Sequence, residues 1–322
     1  MSAITTDNQD QTTVKSAETF SVSSRLSRIN WDEFAIESII RVAGISTVLI
    51  VGLIFLFLIR EGIPAIRQVS LKDLFSTQWY PAEGLYGIRP LIVGSILVTV
   101  GSIAISVPLG LITAIYLGEF APQWQREILK PLIELLAGIP SIVLGFMGWV
   151  VLAPLVQKLG ASTGLTAFTA SVILAYMALP TIISISEDAF YAVPKEYRDG
   201  ALAMGATQWQ TIWRVVLPAG RRGLVIAVML GIGRAIGETM AVMMVAGNAA
   251  NIPEFGPGMF FEPVRTMTAT IAAEMGEVAQ GSLHYSVLFE IGIILFLITF
   301  AINSLAGRLV GTANNRPSEE QL

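Results

Sequence analysis

The run PLIVGSILVTVGSIAISVPLGLITAIYLG fills residues 90–118, 29 positions between Arg89 and Glu119 without one charged side chain. As an α-helix it would be about 43 Å long, more than the roughly 30 Å hydrocarbon core of a bilayer, which about 20 apolar residues cross. A helix that is apolar all round over such a length has no use on a water-exposed surface. The chain therefore enters lipid here.

Other charge-free windows show that it does so repeatedly. Eighteen uncharged residues separate Arg41 from Arg60, 23 separate Glu134 from Lys158, and 28 separate Lys158 from Glu187. Gly223 to Gly247 is interrupted only by Arg234 and Glu238, and Leu283 to Gly307 only by His284 and Glu290. The windows predict an all-α polytopic membrane protein with six spans, near residues 37–59, 90–117, 132–156, 165–186, 223–247 and 284–307. Composition agrees: of 322 residues 53% are hydrophobic and 14% charged, against about a quarter charged in soluble domains.

The same counts exclude other classes. A net charge of −4 and the lack of a basic patch argue against a nucleic-acid partner and leave membrane lipid as the surroundings. With no cysteine and one histidine, thiolate or His-ligated metal sites are not expected. No G-x-x-x-x-G-K-[ST] occurs, so the chain does not itself hold ATP phosphates. A serine protease pairing Ser141 with His284 fails for want of a nucleophile motif, and Pro140 precedes the serine.

Residues 1–35 are polar and read as a cytosolic tail, residues 36–310 as the transmembrane domain and 311–322 as a second tail. With the N-terminus inside, inner segments hold 12 Lys and Arg residues and outer segments 5, which predicts both termini on the cytosolic face. In the outer loop Arg60 to Gly87, Trp79, Tyr80 and Tyr86 suit the membrane boundary. In the outer loop Asn248 to Ser282, a Pro, Gly and Phe cluster precedes a helix-like Met267 to Ala279, which either lies on the membrane or dips into it.

The inner loop 187–222 carries the best-formed motif. Pro194 suits a first helical turn, Lys195 to Met204 continues as helix, and Gly205 breaks it. Trp209, Ile212, Trp213 and Val216 recur at helical spacing, so Thr207 to Leu217 reads as a second amphipathic helix that stops before Pro218. This knob suits either a groove on a partner protein or the lipid surface.

Two charges stand inside the fifth span. Arg234 and Glu238 are four apart, on one helical face and near mid-bilayer, where a lone charge costs at least about 2.5–3.5 kcal/mol. As a pair they would present an ionised guanidinium fork to a passing oxyanion while keeping the site weak enough to release it. The alternative is a structural pair that locks two helices. Glu290 either faces the pathway or, as the default, snorkels outward with His284. Pro140-Ser141 predicts a kink in the third span, with Ser141 near the pathway as a second possibility.

The loop also resembles a known family. Asp199-Gly200-Ala201, Gly205 three residues on, and Val215-Val216-Leu217-Pro218 are similar to the EAA loop of importer-type ABC permeases. Asp199 stands for the usual Glu, Gly200 for the first Ala and Val215 for the usual Ile. The runs AGIPSIVLGF at 137–146 and GRAIGETMAV at 233–242 resemble the permeases of the high-affinity phosphate importer, and ETMAV is closer to its PstC-type than to its PstA-type subunit. The resemblance covers about residues 36–310. It implies an importer-type permease fold in a bacterial inner membrane, and no cofactor or catalysis in this chain. Its implied partners are a second, PstA-like permease, two PstB-like ATP-binding subunits and an external PstS-like phosphate-binding protein. It assigns Asp199, Gly200, Ala201, Gly205, Leu217 and Pro218 to docking on the ATPase, and it adds weight to the pathway reading of Arg234 and Glu238, beside which Ser141 is a candidate further contact. A gradient-driven transporter or channel is the alternative, and it would have no need of the knob.

Overall fold

A computed structural model of the chain describes residues 31–256 and 258–311; the predicted tails lie outside these apart from residues 31–35 and 311. Six of the described helices are long and apolar enough to cross a membrane. Helix α1 is Trp31–Gln68. Its residues 31–55 belong to a unit of their own, an apolar helix with exposed side chains such as Val48 and Leu53. The described residues from Leu56 to 311 form a second unit.

In that second unit the end of α1 leads through the single turn Leu71–Leu74 to a two-stranded hairpin, β1 Trp79–Tyr80 against β2 Leu85–Tyr86. Gly84 turns it at φ 74°. Helix α2, Arg89–Ile115, begins with Pro90 in its first turn, where no N–H is needed, and ends in a π-turn, Tyr116–Phe120. Helix α3 is Gln123–Ala137, α4 Ser141–Met147 and α5 Ala153–Lys158, the last two joined through a π-turn at Gly148–Leu152. Helix α6 is Ala167–Tyr191, its N-terminus capped by the Thr166 hydroxyl accepting the Thr169 N–H. Then come α7 Lys195–Ala203, α8 Gln208–Thr211, a π-turn Ile212–Val216, α9 Leu217–Gly237, α10 Met240–Val245, α11 Met267–Glu274 and α12 Leu283–Gly311.

Helix α6 lies at the centre, gripped by α2 on one side and α9 on another. Small residues permit the approach. A Cβ on Gly110 of α2 would lie 2.7 Å from the Ile182 side chain, one on Gly231 of α9 2.8 Å from it, and one on Gly101 2.3 Å from Ser171 Oγ. Ser171 Oγ also donates to the carbonyls of Ala167 and, across the interface, Val98.

Two expected spans are interrupted. The window 132–156 contains the end of one helix and the start of another, because Gly138-Ile139-Pro140 separates α3 from α4 and the membrane-length helix is Ser141–Lys158. Pro140 has an extended backbone (ψ 136°), so the expected kink is a full break. The window 223–247 stops at Gly237, since Glu238 is extended (ψ 133°) and a new helix starts after Thr239. In the other direction, the knob's second helix does not stop before Pro218. The Leu217 N–H reaches back five residues to Ile212 O, and Pro218, which has no N–H to place, follows without a break.

The aromatic residues of the first outer loop also depart from expectation. Trp79 and Tyr86 are buried against Leu74, Ile88, Leu91 and Met267 rather than spread at a boundary, and only Tyr80 is exposed.

Candidate translocation and coupling sites

Arg234 occupies the last turn of α9 and is half-buried. Its Nη1 approaches Thr181 Oγ1 of α6 at 3.5 Å. Glu238 lies beyond the helix end, and its Oε1 accepts the Ala241 N–H at 3.3 Å, the first turn of α10. Among the described residues no ion pair joins the two. The break at Glu238 removes the shared helical face on which the pairing was reasoned, so the arginine turns to α6 while the carboxylate caps α10.

Glu238 shares a small recess with Ser95 and Thr99 of α2 and with Thr266 and Thr268. The Thr268 hydroxyl donates to the Glu238 carbonyl at 2.9 Å, which satisfies a group freed by the break. An apolar cleft of about 440 Å³ lies between α2, α9 and α12, lined on α9 by Ile232 and Ile236. Arg234 is two residues from each, about 200° around the helix, so the cleft and the arginine are on opposite faces. Ser141 opens α4, and α4 rests on α10: a Cβ on Gly145 would lie 2.9 Å from Ala241 Cα. No hydrogen bond or ion pair among the described residues links Ser141 to Arg234 or Glu238, so packing alone relates them. Of the methionines near them, Met244 packs on Gly145 and Met240 is exposed.

Glu290 does not snorkel. It is 5% exposed and its Oε2 has no partner. His284 is held instead by Glu274, Nε2 to Oε2 at 2.8 Å. The same carboxylate takes Arg265 Nη2 at 2.7 Å and Trp79 Nε1 at 3.1 Å. Glu274 thus ties together the hairpin, the segment before α11 and the start of α12. Its partners lie up to 195 residues away in the chain, so spacing within one helix does not reveal it.

The knob is helix, glycine turn, helix. Gly205 takes φ 85°, a region that costs an L-residue roughly 1–2 kcal/mol. Its N–H bonds Leu202 O, and the Ala206 N–H bonds Ala201 O. Thr207 and Gln210 form a reciprocal capping box. Ala201 is buried; Asp199, Gly200 and Pro218 are exposed and Leu217 half-buried. Met204, at 85% exposure, and Tyr197 are exposed on the knob, whereas Trp209 and Trp213, edge to face and each about half-exposed, line a cleft of about 580 Å³ with Pro108 and Ile112 of α2 and Phe120 of its π-turn.

Charged side chains collect where the knob meets the spans. Arg198 of α7 engages Glu119 of the π-turn ending α2, Nη2 to Oε1 at 2.6 Å and Nε to Oε2 at 3.2 Å. Lys130 of α3 approaches Glu187 and Asp188 of α6 at 3.5 and 3.9 Å. In the sequence these arginines and lysines counted only toward orientation.

Apolar spans broken at mid-length, charged groups within them and a projecting helical knob define a polytopic transport subunit. Residues 106–313 match the family described as "Binding-protein-dependent transport system inner membrane component", and the chain belongs to that family. It is accordingly a non-catalytic permease subunit of the ABC importer type, in a multi-pass inner-membrane family. It is 39% identical to the "Probable ABC transporter permease protein YqgH" of Bacillus subtilis, over 89% of this chain and 95% of that one. It is 36% identical to the "Phosphate transport system permease protein PstC" of Pasteurella multocida, over 80% and 88% respectively. Solved structures with the same fold include a chain of the bacterial alginate ABC transporter (16% identity, TM-score 0.59, 89% of this chain and 99% of that one). Another is a chain of the inward-facing MetNI methionine ABC transporter (20% identity, TM-score 0.55, 73% and 99%).

Proposed function

We propose that this chain is the PstC-type membrane subunit of an ATP-driven inorganic phosphate importer, and that it lines the pathway and couples it to ATPase subunits through the knob at residues 195–218. The observation that carries the reading is the permease fold joined to relatives named for phosphate transport over four-fifths of the chain. Its partners are a second, homologous permease, two ATP-binding subunits and an external phosphate-binding protein, and both of its termini face the cytosol.

The knob's exposed Met204 and Tyr197 fit a groove on an ATPase subunit, with Asp199, Gly200, Ala201, Gly205, Leu217 and Pro218 shaping the docked surface. Closure of the ATPases on ATP moves the knob and opens the pathway to each side in turn. Arg234 supplies the cation for the anion in transit. Among the described residues its one hydrogen bond is to the Thr181 hydroxyl at 3.5 Å, which leaves guanidinium donors for phosphate. Glu238 acts beside it by capping α10, and Ser141 opens the helix α4 that packs on α10.

The test is reconstitution of the full complex in lipid, with phosphate-stimulated ATP hydrolysis and phosphate uptake followed together. Arg234→Gln is expected to assemble normally and to abolish uptake. Normal uptake by that variant removes the pathway role, and uptake that persists without the ATPase subunits removes the reading altogether.

A further inference from the structure

Arg198 stands directly before the exposed Asp199 of the knob, yet its own side chain is turned into the protein. It is only 20% exposed and Glu119 11%. Besides its contacts with Glu119, its Nη1 donates to Val193 O at 2.7 Å and its Nη2 to Phe190 O at 2.8 Å, carbonyls at and just after the end of α6. One planar group thus engages a carboxylate at the end of α2 and two carbonyls at and just after the end of α6, while its own backbone belongs to α7. A lysine, a point charge on a flexible stem, cannot make that three-way fork. Arg126 of α3 repeats the pattern nearby, donating to Gly118 O of the same π-turn at 2.9 Å and to the Tyr191 hydroxyl at 2.6 Å. The covalent link from α6 to α7 is only Ala192-Val193-Pro194. Three residues of single chain can bend, and the guanidinium spans them.

We propose that Arg198 is a positioning residue of the coupling loop: by clamping Glu119 together with the carbonyls of Phe190 and Val193, it makes α7 and the ends of α2 and α6 move as one body. The proposal rests on the reading of the knob as the ATPase contact. Without the clamp, a displaced α7 bends at residues 192–194 and the ends of α2 and α6 stay behind. ATP is then hydrolysed with little transport.

The experiment uses the full complex in proteoliposomes and reads the ratio of phosphate taken up to ATP hydrolysed. A wild-type complex that takes up no phosphate fails the functional reading before any variant is compared, which keeps the two failures apart. Arg198→Lys and Arg198→Gln are expected to assemble and hydrolyse ATP while the ratio falls about tenfold, within the usual range of site-to-site coupling. An unchanged ratio in either assembled variant overturns the proposal. The chain has no cysteine, so the double variant Glu119→Cys, Arg198→Cys can be bridged by a short thiol-reactive cross-linker. Bridging is expected to restore the ratio several-fold over the unbridged protein, a recovery that lost folding stability alone would not show. A ratio that stays low after complete bridging also overturns the proposal.

Discussion

Glu274→Ala removes the carboxylate that joins three outer segments, and the cost can be worked out partner by partner. Arg265 and Glu274 are 17% and 16% exposed. Breaking a fully buried pair costs about 3–5 kcal/mol, and the remaining exposure lowers this to about 2–3 kcal/mol. Arg265 Nε lacks a partner among the described residues, so losing Glu274 adds to an already unsatisfied guanidinium. The Trp79 N–H, on a 3%-exposed side chain, is left unsatisfied for about 1 kcal/mol more. The total is about 3–4 kcal/mol. With an unfolding entropy of about 2.1 cal/mol/K per residue over 322 residues, each kcal/mol moves the midpoint by about 1.5 °C, so a fall of about 5 °C is expected. The assay is thermal unfolding of the detergent-solubilised protein. A thiol placed by Val287→Cys, at a fully buried position of the same cluster, reports opening through its labelling rate. Glu274→Gln, which keeps a neutral acceptor, should lose less than half as much. A melting point lowered by under about 1 °C, with unchanged labelling at residue 287, would refute the view that this carboxylate holds the outer segments together.

Gly205→Val places a β-branched side chain at φ 85° and should weaken the turn by about 2 kcal/mol while leaving the spans intact; co-purification with the ATPase subunits should fall with little change in expression. Gly164→Ala would set a methyl 2.0 Å from the Ala153 carbonyl oxygen, so the link between α5 and α6 must shift, at about 1–3 kcal/mol; a melting point equal to wild type would count against that packing.

The spans were legible because a bilayer demands long charge-free windows, and 90–118 is such a window on sight. Window counting is blind to the backbone, however. Pro140 was read as a kink when Gly138 and Ile139 beside it make a full break, and Glu238 was read as a helical neighbour of Arg234 when it lies outside the helix. The one local cue was Glu238-Thr239, a polar step before an apolar run, of the kind that starts a helix. The knob was the reverse case. Proline before Lys195, glycine at 205 and the helical spacing of Trp209, Ile212, Trp213 and Val216 are short-range signals that locate both helices; the continuation past Pro218 is not among them, since a π-turn leaves no clear mark in composition. The Arg198–Glu119 and Trp79–Glu274 contacts join residues 79 and 195 positions apart, and no periodicity carries such choices.

The continuity of α8, the π-turn and α9 has a mechanical consequence. From Gln208 to Gly237 the helical path is unbroken, and at about 1.5 Å per residue Arg234 sits roughly 39 Å from the cap of the knob. A rod of that length is a long lever arm. Tilting it by about 5° at the knob carries the arginine about 3 Å sideways, as much as a hydrogen bond is long. A modest rotation outside the bilayer is therefore enough to make or break the 3.5 Å approach to Thr181 deep inside it.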